Sequence, residues 1–65
     1  MTLYINGEPR EHDAATIAEL VKLLEIPAPT LLIEHNGTAL RRDEWQGARL
    51  ADGDKLEILR IAAGG

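Results

Sequence analysis

A chain of 65 residues with net charge −4 and no cysteine has room for one domain, held by apolar packing without disulfides or zinc–thiolate sites. Hydrophobic residues make up 45%, with one Trp, one Tyr and no Phe, so the predicted core is aliphatic. The acidic balance argues against nucleic acid, because the one basic pair, Arg41-Arg42, is cancelled at once by Asp43-Glu44.

Leu3-Tyr4-Ile5 alternates and runs into Asn6-Gly7, followed by Glu8 to Asp13 with few apolar residues. Asn-Gly between short extended runs signals a hairpin, since both central positions of a type I′ turn need positive φ. Pro9 cannot donate to a ladder, which places the second strand at a sheet edge. Thr16-Ile17-Ala18-Glu19 reads as a capping box, with the Thr16 hydroxyl accepting from the Glu19 amide and the Glu19 carboxylate reaching the Thr16 amide. Ile17, Leu20, Val21 and Leu24 then form one apolar stripe, predicting a helix of about nine residues. Pro27 and Pro29 end it.

Leu31 to His35 is the next strand, closed by Asn36-Gly37, and Thr38 to Leu40 returns. Ile5-Asn6-Gly7-Glu8 and His35-Asn36-Gly37-Thr38 thus echo each other, one hairpin on each side of the helix. Asp43-Glu44-Trp45 suits a helical turn, Asp52-Gly53-Asp54 a tight turn, and Lys55 to Ile61 a final strand. The order is ββαββ, an α+β domain over residues 1–61, with 62–65 as a flexible tail.

Parity along the strands sorts the faces. Leu56 and Ile58 point toward the helix; Leu59 and Ile61 point away, as does Leu32 opposite Leu31 and Ile33. Leu32, Leu59 and Ile61 would form a small docking patch beside the tail; the competing reading is ordinary scatter of surface apolar side chains. Ala62-Ala63-Gly64-Gly65 is thin enough to present its own α-carboxylate to an enclosed site, where the alternative is a frayed end.

Other constellations carry less chemistry. His12 and His35 are isolated from organised carboxylates, so a metal site is not expected, and His35 reads as a partly buried structural histidine at the sheet margin. There is no serine for Ser-His hydrolysis and no Gly-rich phosphate loop. Trp45 is expected to cover a core edge, its indole N–H finding a carbonyl, with a recognition role as the alternative. Pairing with nearby acids is one role open to Arg42, and contact with the activating enzyme one open to Arg60 beside the tail; the sequence does not choose. No run approaches the ~20 apolar residues of a membrane span, and no basic-then-apolar leader opens the chain, so the cytoplasm is the expected compartment.

With these elements in place, the chain resembles the ThiS family, sulfur carriers of thiamine biosynthesis in the β-grasp (ubiquitin-like) superfamily. The resemblance rests on Ile5-Asn6-Gly7-Glu8, Ile33-Glu34-His35-Asn36-Gly37, Arg42-Asp43-Glu44-Trp45, Asp52-Gly53-Asp54-Lys55-Leu56-Glu57-Ile58 and Ile61-Ala62-Ala63-Gly64-Gly65. It departs at His35, where the family usually has an aliphatic residue, and at Arg41, where proline is common. The resemblance implies a mixed sheet packed on one helix and a protein that enzymes act upon. An E1-like (ThiF-like) enzyme would use ATP to adenylate Gly65, a persulfide donor would convert it to a thiocarboxylate, and a ThiG-like thiazole synthase would take the sulfur. The carrier itself would bind no cofactor. Left open are a carrier for another pathway, as in the small subunit of molybdopterin synthase or cysteine and secondary-metabolite synthesis, and a ubiquitin-like modifier or binding module.

Overall fold

The computed structural model describes residues 1–26 and 31–60. Strands β1 (Thr2–Ile5) and β2 (Glu8–Glu11) form the first hairpin, α1 (Ile17–Leu24) crosses over, and β3 (Leu31–His35) and β4 (Thr38–Leu40) form the second. A 3-10 turn (Arg42–Gly47) then leads to β5 (Lys55–Arg60). The expectations for Pro27, Pro29, Ile61 and the tail Ala62 to Gly65 lie outside the described residues.

Both Asn-Gly turns take the mirror-image conformation a two-residue hairpin needs: φ is +52° at Asn6 and +83° at Gly7, +50° at Asn36 and +87° at Gly37. The first hairpin is shorter than the run Glu8 to Asp13 suggested. β2 stops at Glu11, so His12 and Asp13 belong to the connection into the helix. Pro9 lies on an edge strand as its missing N–H requires, opposite Tyr4.

The helix begins on Thr16, whose hydroxyl accepts the Glu19 N–H at 3.3 Å. The reciprocal bond is displaced by one residue: Glu19 Oε2 accepts from the Ala15 N–H at 2.9 Å, not from Thr16. The acidic side chain still answers a free amide just ahead of the positive helix end. After eight residues the helix closes on Glu25, which turns left-handed at φ 55° and donates its N–H to the Lys22 carbonyl.

The five strands lie in the order β2-β1-β5-β3-β4. β5 runs parallel to β1 and antiparallel to β3, and the two hairpins supply the remaining antiparallel pairs. The sheet is therefore mixed, and the last strand fills its centre. One face packs on α1: Leu3, Ile17, Leu20, Ile33 and Leu56 are almost wholly buried, with Trp45 and Ile58 at the margins.

The turn asparagines reach into β5 from both sides. Asn6 Oδ1 accepts the Ile58 N–H at 2.8 Å while its Nδ2 donates to the Ile58 carbonyl at 3.1 Å. Asn36 Oδ1 accepts the Lys55 N–H at 2.8 Å, and its backbone N–H donates to the Lys55 carbonyl at 2.8 Å. Each asparagine thus continues the ladder past the point where its own strand turns away. Asn6→Gly should cost about 1–2 kcal/mol in urea unfolding, the net worth of the two side-chain bonds. A neutral or stabilising result would mean that the turn needs only the backbone freedom of glycine.

Candidate functional site

The sheet face turned away from α1 carries the sequence-predicted patch at the C-terminal end of β5. Leu32 and Leu59 are register partners across β3 and β5, and they are 40% and 50% exposed. Directly beside them along the strands, Glu34 faces Glu57. Two like charges opposite each other disfavour the bare sheet slightly, and they give the apolar pair an acidic border. Tyr4 lies on the same face, 39% exposed. Its parity against Leu3 could have revealed it in the sequence. It pairs with Lys55, four residues before Leu59 and so about 13 Å away along the strand.

Arg60 does not join this patch. It shares the parity of Leu56 and Ile58, and it lines a depression of about 460 Å³ on the helix side with Arg10, His12, Leu24 and Ile26. Leu59 and Arg60 therefore leave the end of β5 on opposite sides of the sheet. Ile61 and the tail residues Ala62, Ala63, Gly64 and Gly65 lie beyond the described part of the strand.

The other end of β5 is fixed by a polar cluster that sequence reasoning did not assemble. His35 is partly buried, and its Nε2 lies 2.7 Å from Asp54 Oδ2. Asn36 Nδ2 donates to Asp54 Oδ1 at 3.2 Å, and the Ala51 N–H donates to Oδ2 at 2.9 Å. Burial pushes the Asp54 carboxyl upward, but the hydrogen bonds from His35, Ala51 and Asn36 outweigh it and hold the group below its ordinary value. The turn is also tied to β1, since Thr2 N–H donates to Asp52 Oδ1 at 2.7 Å and Gly53 N–H to the Thr2 carbonyl at 2.7 Å.

In the 3-10 turn one expectation needs correction and one open question is answered. Trp45 is buried at the core edge as expected, yet its Nε1–H has no hydrogen-bond partner among the described residues. A buried donor left unpaired costs about 1–3 kcal/mol. The residue that pairs with the acids is Arg41, whose Nε lies 3.3 Å from Asp43 and 3.9 Å from Glu44. Side chains three apart eclipse in a 3-10 helix, so Arg41 meets Glu44 while Arg42 falls in line with Trp45.

One helix grasped by a mixed sheet, with the final strand inserted between two hairpins, is the β-grasp architecture of ubiquitin-like carriers and modifiers. The comparisons with known proteins narrow this class. The model of the ThiS family matches residues 3–65, and the chain belongs to that family: it is a sulfur carrier of thiamine biosynthesis. The crystal structure of the thiamine biosynthesis protein ThiS from Geobacter metallireducens superposes with a TM-score of 0.84 at 33% identity, all of both chains being covered. The solution structure of a thiamine biosynthesis protein from the same organism gives 0.81 at 33% identity, over all of this chain and 88% of that one. An uncharacterized protein, ycf40 of Trieres chinensis, is 26% identical across 98% of this chain and 89% of its own length.

The lowered Asp54 value sets a pH dependence. A carboxyl with a depressed folded value contributes fully above its unfolded value, near pH 4, and the contribution is lost as pH falls through the folded value. Asp54→Asn should lower stability by about 1–3 kcal/mol at neutral pH and flatten the acid limb of stability against pH. An unchanged acid limb in urea titrations of the variant would show that the cluster contributes nothing to it.

Proposed function

We propose that the working group of this carrier is the Gly65 carboxylate, which is adenylated and then converted to a thiocarboxylate that supplies the sulfur of the thiazole ring. The observation that carries the reading is the family match, which runs through residue 65. Its companion in the fold is the central position of β5, whose last described residue, Arg60, stands five positions before Gly65.

A carboxylate is resonance-stabilised and resists nucleophiles, so the reaction begins with activation by a partner. An E1-like, ThiF-like enzyme joins the Gly65 carboxylate to the α-phosphate of ATP, and pyrophosphate leaves. The terminal sulfur of a persulfide attacks the acyl carbon, and AMP departs with the bonding pair. A thiol then opens the remaining sulfur–sulfur bond, leaving C(=O)S⁻ on the carrier and a disulfide on the donor side. A ThiG-like thiazole synthase takes up that sulfur. The chain contributes no cysteine, so it offers no internal thiol to capture its own acyl-adenylate.

The carrier's part is geometric. Ala62 to Gly65 fully extended span at most about 14 Å, and side chains no larger than methyl suit a narrow channel. The rigid body docks through Leu32 and Leu59; a contact from Arg60 would have to come from the other side of the sheet. Gly65→Ala should fold normally but be adenylated at least about tenfold more slowly, a loss of ~1.4 kcal/mol in the barrier. Equal rates, or intact-mass spectra without an oxygen-to-sulfur exchange when ATP, activator and sulfur donor are supplied, would overturn the reading. Leu59→Glu should leave urea unfolding nearly unchanged and weaken binding to the activating enzyme about ten- to a hundredfold, as loss of an interface anchor does. Unaltered affinity would remove the patch from the interface.

A further inference from the structure

Strand β5 is flanked unequally along its length. On one side β3 accompanies it to its last residue, with Leu31 opposite Arg60, Leu32 opposite Leu59 and Ile33 opposite Ile58. On the other side β1 pairs only as far as Ile5 with Leu56, and the Asn6 N–H adds a bond to the Leu56 carbonyl at 2.8 Å. β1 then turns away, with φ +52° at Asn6 and +83° at Gly7. Alternate residues of a strand direct their peptide groups to opposite sides. The carbonyls of Asp54 and Leu56 accept from β1, so the N–H and carbonyl of Ile58 face the side that β1 has left. The Asn6 side chain fills that place: its Oδ1 accepts the Ile58 N–H at 2.8 Å and its Nδ2 donates to the Ile58 carbonyl at 3.1 Å, both bonds being partly buried.

From this geometry we infer that Asn6 is a positioning residue for partner docking, acting through Ile58 on Leu59. The inference rests on the proposed reading in which Leu59 anchors the carrier on its activating enzyme. The Ile58 N–H belongs to the peptide group before that residue, and its carbonyl to the peptide group that leads into Leu59. One side-chain amide therefore grips both planes, and the second of them helps set the direction in which the Leu59 side chain leaves the backbone. Leu59 needs such a hold because it is 50% exposed, so its own burial does little to fix it. An anchor already held in its binding geometry loses less freedom when a partner closes on it. The second turn asparagine supplies the contrast. Asn36 Oδ1 accepts the Lys55 N–H at 2.8 Å and its Nδ2 donates to Asp54 Oδ1 at 3.2 Å. It too ties a turn to this part of the chain, but at the start of β5, four residues before Leu59. Both asparagines have the same turn chemistry; only Asn6 holds the residue next to the anchor.

The test compares Asn6→Gly with Asn36→Gly, each of which keeps a residue suited to the positive φ of its turn, at a temperature where both are folded by circular dichroism. Two readings are taken on the full chain: affinity for the ThiF-like activating enzyme by calorimetry, and amide hydrogen exchange at Leu59, whose N–H parity directs toward β3. Asn6→Gly should weaken binding about three- to tenfold, the range expected for ordering one side chain on association. It should also speed exchange at Leu59 by a larger factor than at the amides of α1, which report opening of the whole domain. Asn36→Gly should bind as the parent does and speed Leu59 no more than α1. Asn6→Gly binding like the parent while Leu59→Glu binds weakly would overturn this inference and leave the docking reading in place. Equal losses of affinity in the two glycine variants would also overturn it, since both would then act through stability alone. Leu59→Glu binding like the parent, or no binding by the parent, would remove the docking reading and this inference together. Should Asn6→Gly fail to fold, Asn6→Asp keeps the turn and the acceptor for the Ile58 N–H and loses only the donor. It should move both readings in the same direction, and no movement in either decides against the proposal.

Discussion

The insertion of β5 between β1 and β3 is the constraint on which the rest of the architecture depends. Until this strand arrives the two hairpins share no edge, and the helix has no continuous sheet to cover. Its backbone is bonded on both sides. Where the neighbouring strands turn away, Asn6 and Asn36 substitute side-chain amides for the missing backbone groups. Two of its six side chains, Leu56 and Ile58, enter the core with Leu3, Leu20 and Ile33. Its pairing with β1 joins segments some fifty residues apart, so the native sheet forms only when the whole chain has been brought together.

That arrangement serves a carrier. The segment leading toward the proposed reactive end follows a strand that is bonded on both sides. The exposed pair Leu32 and Leu59 lies toward the end of β5 that precedes the proposed reactive terminus. At the far end, the His35–Asp54–Asn36 cluster and the ties from Thr2 to the Asp52–Asp54 turn hold the start of the strand. The polar cluster thus lies at the start of β5 and the exposed Leu32–Leu59 pair toward its end.

Charge shows a similar division. The outer face sets Glu34 against Glu57 beside the apolar pair, whereas the helix layer leaves Lys22 and Arg42 without acidic partners among the described residues. The two sides of a very small molecule are thereby made chemically unlike.

Local chemistry was enough to read the elements from the amino-acid order. Asn6-Gly7 and Asn36-Gly37 announced their turns because few other pairs tolerate two successive positive φ angles, and Thr16 announced the helix because a hydroxyl there answers a free amide. Period-two parity placed Leu56 and Ile58 inside and Leu32 and Leu59 outside without any knowledge of strand order. What depended on distant groups was not legible. The bonds from Asn6 to Ile58, the meeting of His35 with Asp54, the transfer of the acids from Arg42 to Arg41 and the orphaned indole of Trp45 all arise from which segments the sheet brings side by side. Periodicity says which way a side chain points; only the assembled fold decides what it meets there.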